Sequence, residues 1–191
     1  PVDLGDGRMA AFFRRRQADW VHRSESTDGG RTWSPPKPTD VPNNNSSIGV
    51  AALGDGRLAM VCNPVSAAQT TSRRASLYDE LGDEDGREEA RDGCRPVWGV
   101  ERAPLALCFS HDGGRSFPLR HIIEDSPGTC LTNDSLDGRN KELSYPMLLP
   151  RPDGGLDIAY TLHRRAIRHV RLSAADLARM EQDANLEGVR A

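Results

Sequence analysis

At 191 residues the chain is long enough for one domain with a substantial core. A formal net charge of −3 excludes the bulk basic surface of a nucleic-acid binder. Its apolar residues come in short strings, none near the roughly 20 residues of a membrane-spanning helix, yet too many for a disordered chain.

The strings are strand-length and bounded by Gly, Asp, Asn and Pro. In chain order they are Met9–Phe13, Ile48–Leu53, Arg57–Cys62, Pro104–Phe109, Tyr145–Leu149 and Leu156–Thr161. Two hairpins are predicted, at Gly54-Asp55-Gly56 and Asp153-Gly154-Gly155, because Asp-Gly supplies the positive φ of a tight turn. Residues 64–100 interrupt the rhythm with the acidic run YDELGDEDGREEARDG at 78–93, read as a long, partly disordered insertion loop. Asp83, Asp85, Gly86 and Asp92 echo a calcium loop, but Leu81 occupies the first ligand position, so the run reads as a solvated acidic loop. One helix is expected, from Ala174 to about Ala184, capped by Ser173 and Asp176. The reading is all-β, with strands over 1–172 and a helical tail over 173–191.

Cys62, Cys94, Cys108 and Cys130 form no C-x-x-C pair and read as free thiols; no zinc site and no cofactor is expected. Lys occurs only at Lys37 and Lys141, so the basic residues are almost all Arg, which reads first as codon bias. No charged-then-apolar leader opens the chain, but it begins at Pro1 rather than Met, and the compartment of this soluble reading stays open between cytoplasm and periplasm.

The octamer STDGGRTW at 26–33 recurs as SHDGGRSF at 110–117. The physical reading is a turn whose Asp carboxylate caps backbone N–H groups two or three residues on. Its Ser joins the turn, and its aromatic, Trp33 or Phe117, folds back into the sheet core. These octamers resemble the Asp boxes, Ser-x-Asp-x-Gly-x-Thr-Trp, of sialidases and their bacterial neuraminidase repeat relatives. The resemblance continues in PNNNSSIGVAALGDGRLAMVCN at 42–63, ERAPLALCFSHDGG at 101–114 and ELSYPMLLPRPDGGLDIAYTLHRRAIRHVRL at 142–172. It implies a partial sialidase-like β-propeller of about three four-stranded blades, in pieces at roughly 8–40, 47–123 and 144–172. Such domains close with six blades. The chain therefore resembles a C-terminal half, its upstream half missing or supplied by another chain.

The resemblance also implies a chemistry. In that family a tyrosine attacks the anomeric carbon of sialic acid, a neighbouring Glu takes the phenol proton, and an arginine cluster grips the substrate carboxylate. Tyr145 opens a strand ahead of an Asp-Gly turn, as the family's nucleophile does, and Glu142 is its expected partner. Here the family's Tyr-Ser is Tyr145-Pro146, and the Glu that often follows the second Tyr is Thr161 after Tyr160. Arg102, Arg14 and Arg164 are the expected carboxylate binders, in that order. Asn45 and Asn63, at strand ends, are expected to bind sugar hydroxyls or form turns. His163 and His169 are not spaced as metal ligands, and His169 is expected to pack in the last strand. No Arg-Ile-Pro motif is present, and the family's acid/base Asp lies upstream, so the chain alone is expected to be inactive. The leading expectation is an exo-acting sialidase-like glycoside hydrolase for a terminal acidic sugar, with no nucleic-acid or membrane partner. The alternatives are a non-catalytic Asp-box propeller binding glycans or proteins, and a propeller glycosidase or lyase for another sugar.

Overall fold

The computed structural model describes residues 1–71, 73, 96–131 and 140–187, with side chains to 183. The acidic run at 78–93, its calcium-like residues Asp83, Asp85, Gly86 and Asp92, and Cys94 lie outside the described residues. No described helix is long and apolar enough to cross a membrane.

Three antiparallel sheets follow one another along the chain. The first holds β1 (Val2–Gly5), β2 (Arg8–Phe13), β3 (Trp20–Ser26) and β4 (Lys37–Pro42) in sequential order. The second repeats it with β5 (Gly49–Gly54), β6 (Arg57–Cys62), β7 (Leu105–Ser110) and β8 (Leu119–Glu124). The third has three strands, β9 (Leu143–Pro150), β10 (Leu156–Leu162) and β11 (Ala166–Leu172), where four were expected. After β11 the chain turns at once into α1 (Ala174–Glu187). Ser173 starts that helix: its Oγ accepts from Asp176 N at 3.1 Å, and Asp176 Oδ2 accepts from Ser173 N at 2.9 Å. The first strands of the sheets lie side by side, β5 against β1 on one side and β9 on the other. This is a partial sialidase-like β-propeller, with the helix appended.

Sequence periodicity places the core between sheets. On β6 the alternate residues Leu58, Met60 and Cys62 face the first sheet, with Phe117, Val21 and Val41. Ala59 and Val61 face the third sheet, with Leu105, Leu107, Phe109, Leu156 and Ile158. Both faces of the middle sheet are thus dry. α1 adds Leu177 and Met180 to the second of these clusters, and Arg57 reaches Glu181 at 3.1 Å.

Each Asp box closes the turn between the third and fourth strands of its sheet. Asp28 Oδ1 accepts from the backbone of Arg31 and Thr32 at 3.0 and 2.9 Å, three and four residues on rather than two or three. Asp112 does the same with Arg115 and Ser116 at 2.8 and 3.0 Å. The serine donates to the Asp and accepts from the second Gly N–H, at 2.9 Å in both boxes. The Thr32 hydroxyl, then its N–H, hold the Asp28 carboxyl down at about 2. Both boxes are therefore structural, their carboxylates consumed by the turn. Phe117 is fully buried, edge-on to Phe12 of the first sheet at 5.8 Å between centroids. Trp33 departs from the expectation: it stays 39% exposed, its Nε1 bonded to Gly30 O, because no described sheet lies beyond it.

The second box docks on the first sheet. Arg23 Nε donates to Gly113 O at 2.9 Å, and Arg115 reaches Glu25 at 3.2 Å. Gly114, at φ +82°, comes so close that an added Cβ would lie 2.3 Å from the Phe12 ring. Gly114→Ala is therefore expected to destabilise the fold by about 3 kcal/mol, combining left-handed strain with overpacking. Gly29→Ala, at φ +71° in open space, should lose only about 1 kcal/mol. Urea unfolding of the two variants checks the difference.

Candidate functional site

In the first two sheets the Asp-box turn follows the third strand, so the opposite end of the three sheets collects the starts of odd strands and the ends of even ones. That opposite end holds every residue expected to carry chemistry: Arg14 after β2, Asn45 after β4, Asn63 after β6, Arg102 before β7, Glu142 and Tyr145 at the start of β9, and Arg164 after β10.

Glu142 organises this end. Its residue pairs with Arg102 in an isolated parallel bridge; Leu143 N donates to Arg102 O at 2.8 Å, and His163 N donates to Glu142 O at 2.7 Å. Three chain segments are thereby laced across the gap between the second and third sheets. The side chain is fully buried. Its Oε1 accepts from Arg102 Nη1, Arg164 Nε and Ser144 Oγ, each at 2.9 Å, and Cys130 Sγ stands 3.8 Å from Oε2. Ser144 is in turn 2.7 Å from Thr161 Oγ1, so the residue at the position of the family's Glu buttresses Glu142. A buried carboxylate shared by two guanidiniums is stable only because each of its bonds is charge-assisted.

Tyr145 lies beside this cluster. Met147 pairs with Ala159 and Ser144 with Thr161, so two residues of β9, Tyr145 and Pro146, face the single residue Tyr160. The extra residue is a β-bulge, which re-aims a side chain and suits a proline without an N–H. It holds Tyr145 at φ +55°, a conformation seldom seen for a bulky residue, and leaves it 54% exposed. The Arg102 guanidinium sits 5.7 Å from the centre of its ring. The expected Tyr145–Glu142 hydrogen bond does not form among the described residues, since Glu142 is held by its arginines instead. Arg164 belongs to the tight turn between β10 and β11, where His163 and Arg164 take φ of +51° and +54°.

The remaining expected residues make other contacts. Asn63 ties the sheets together: only 1% exposed, it donates at 3.0 Å to both Pro104 O and Leu143 O. Asn45 is likewise a turn residue, at φ +59°, its N–H on Asn43 Oδ1 and its amide on Val97 O. Exposed Arg14 donates to Asn45 O at 3.4 Å and does not join Glu142. His163 is buried, and its Nδ1 accepts from Glu142 N at 3.2 Å. His169 does not pack inward; it stands on the open face of β11, 3.1 Å from Asp157. Cys62 and Cys108 are buried free thiols, and contact with Cys108 together with burial pushes the Cys62 thiol up; Cys130 is buried against Glu142 and Asn140. Among the described residues no group of His, Cys, Asp and Glu could hold a metal.

Sequence reading missed a second Tyr–Glu pair. Tyr160 OH donates to Glu124 Oε2 at 2.9 Å, Arg168 binds the same oxygen, and Ser126 N binds Oε1 at 2.8 Å. Burial opposes ionisation of Glu124, but the Ser126, Arg168 and Tyr160 bonds outweigh it and hold its carboxyl down at about 2. Burial and then Glu124 push the Tyr160 phenol up to about 12. A phenol this reluctant to ionise is a poor nucleophile, and the pair joins β8 to the third sheet.

The BNR repeat-like domain family matches residues 1–158, and the chain belongs to that family. Its fold is shared with solved sialidases. The intramolecular trans-sialidase of Ruminococcus gnavus, in complex with oseltamivir carboxylate, is 14% identical over 92% of this chain and 32% of its own, with a TM-score of 0.54. The NanB sialidase of Streptococcus pneumoniae is also 14% identical, over 92% of this chain and 23% of its own, with a TM-score of 0.53. A Hadza microbial sialidase is 12% identical over 91% and 27%, with a TM-score of 0.56. The chain thus spans between about a quarter and a third of their lengths. No curated protein sequence matches it.

Two outcomes test this geometry. Glu142→Ala leaves Arg102 and Arg164 without their buried counter-charge and is expected to lose about 3 kcal/mol or more in chemical denaturation. Glu124 ionises more easily folded than unfolded, so its contribution is complete above pH 4.5 and is lost as pH falls toward 2. Glu124→Gln should flatten the acid limb of a stability–pH profile in that window.

Proposed function

We propose that this chain carries the nucleophile side of a retaining, exo-acting glycoside hydrolase of the sialidase type, acting on a terminal acidic sugar. One observation carries the reading: a bulge lifts Tyr145 into the open beneath Arg102, while Glu142 holds Arg102 and Arg164 together at the same end of the sheets. The two guanidiniums give a substrate carboxylate a charge-assisted seat. Tyr145 is a neutral nucleophile, which avoids the repulsion an Asp or Glu would meet at an anomeric carbon bearing a carboxylate. Its attack forms a glycosyl–tyrosine bond as the leaving alcohol departs, and water then releases the sugar with retained configuration. In this chain Glu142 serves as the anchor of the arginines, and the proton of Tyr145 passes to a group outside it. Family membership and the sialidase fold support the reading.

A second reading is favoured by the engagement of Glu142: an Asp-box propeller that grips an acidic glycan through the same arginines without turnover. One experiment separates them. The three sheets alone are expected to be inactive, and the completed ring to hydrolyse a fluorogenic sialoside. Tyr145→Phe should lower kcat on the order of 10³-fold or more, and a 2,3-difluorinated sialic acid should add its mass to the peptide bearing Tyr145. Turnover unchanged by Tyr145→Phe overturns the nucleophile. Sialoside binding without hydrolysis by the completed ring selects the second reading.

A further inference from the structure

The inner strands of the second and third sheets converge toward the candidate site. On β5 the residues that face the third sheet are Gly49, Ala51 and Leu53. Gly49 pairs with Val61 and Ala51 with Ala59, which share that face, and Leu53 packs into the same cluster. Side-chain size thus falls from Leu to Ala to nothing as β5 is followed back to its first residue, at the site end. Gly49 does not take a positive φ, so space and not backbone conformation calls for a glycine there.

What occupies that space is the bulge of β9. A Cβ added to Gly49 would lie 3.0 Å from Pro146 O and 2.5 Å from Leu148 Cδ1. The two neighbours differ in what they can give. Leu148 Cδ1 ends a side chain that can change rotamer, whereas Pro146 O is main chain in the second residue of the bulge. Pro146 is buried between two exposed residues, Tyr145 and Met147. The inward leg of the bulge therefore rests on β5, and the outward leg carries the phenol. Arg102 is placed independently of β5, by its ion pair with Glu142 and by the bond from Leu143 N to Arg102 O. Any movement of the bulge away from β5 thus changes the spacing between the Tyr145 ring and the Arg102 guanidinium, 5.7 Å in this fold.

We propose that Gly49 is a positioning residue for Tyr145. Lacking a side chain, it lets the backbone of β9 close on β5 at the bulge, and so sets where the phenol stands beside Arg102. A methyl group at this position presses on Pro146 O and shifts the bulge by a few tenths of an ångström. The inference rests on the glycosidase reading for what that placement serves, because there Tyr145 is the nucleophile and small misplacements of a reacting group are costly. That Gly49 sets the placement rests on the packing alone.

Fluorine NMR of the chain labelled with 3-fluorotyrosine tests it. The sequence has three tyrosines, and the spectra of Tyr145→Phe and Tyr160→Phe assign the two resonances of the third sheet. Gly49→Ala is expected to keep the strand circular dichroism and to move the Tyr145 resonance by more than its linewidth. The Tyr160 resonance, from a buried ring held by Glu124, should stay in place. Leu148→Ala removes the softer of the two contacts, so Gly49→Ala made in that background meets the Pro146 carbonyl alone. The Tyr145 shift, measured against Leu148→Ala itself, should persist there. A Tyr145 resonance unmoved by Gly49→Ala overturns the proposal. So does a shift that disappears with the Leu148 side chain, which would assign the effect to side-chain packing, and so does a common shift of both tyrosines, which would mark a general loosening. In the completed ring Gly49→Ala should lower kcat about tenfold or more with KM unchanged, and an active ring with unchanged kcat overturns the proposal as well. An inactive ring defeats the glycosidase reading while the fluorine shift still decides this one, so either can fail alone.

Discussion

One buried carboxylate fixes the end of the molecule where the candidate site residues are gathered. Glu142 has no solvent exposure, yet it accepts from two arginines and a serine on one oxygen. Those donors come from three places: the lead into β7, the start of β9 and the turn after β10. The desolvation of such a cluster is repaid only when every partner is in place. The second and third sheets must therefore meet in one register. The backbone agrees with the side chains, since Glu142 O accepts from His163 N and the adjacent Leu143 N donates to Arg102 O. Asn63 continues it, holding Pro104 O and Leu143 O with one amide.

The backbone at this end is strained in a consistent way. Tyr145, His163, Arg164 and Asn45 all take positive φ without being glycine. Each such residue costs on the order of 1 kcal/mol or more. A turn with Asn-Gly in place of His163-Arg164 would relax the backbone but lose the guanidinium on Glu142 and the imidazole that accepts from its N–H. At the Asp-box end, positive φ is instead assigned mainly to glycines such as Gly29, Gly30, Gly113 and Gly114. Strain without glycine is thus concentrated where particular side chains must stand, as expected of a site rather than of a turn chosen only for stability.

Local rules explain which parts were legible from sequence. Asp-Gly turns and Asp boxes act over a few residues, so the strands beside them were read to within about two residues, and the box pointed to the propeller. Trp20–Ser26, Lys37–Pro42 and Leu119–Glu124 were not read as separate strands. The first is polar throughout from His22 to Ser26, and the second carries two prolines, tolerated because β4 is an edge strand. The repeat of Leu-Gly-Asp-Gly-Arg was visible and would have fixed the register of the first two sheets. The site was harder. A bulge exists only in the pairing of two strands, so nothing local shows that Tyr145 is turned outward. The partners of Glu142 lie 40 and 22 residues away, and no periodicity joins them. Asn63 resembled a loop asparagine, because its burial depends on the third sheet arriving above it.

The two tyrosines of the third sheet show how packing separates a reactive group from a structural one. Tyr145 and Tyr160 face one another across the bulge in β9 and β10. Tyr160 points into the core, where burial and an ionised Glu124 both disfavour the phenolate and push it up to about 12. Its hydrogen bond with a glutamate resembles the expected catalytic pair in composition, but its ring is buried in the core. Tyr145 points outward, accessible, with an arginine rather than a carboxylate against its ring. The bulge that holds one side chain out while its neighbour goes in therefore decides which tyrosine of this sheet could meet a sugar.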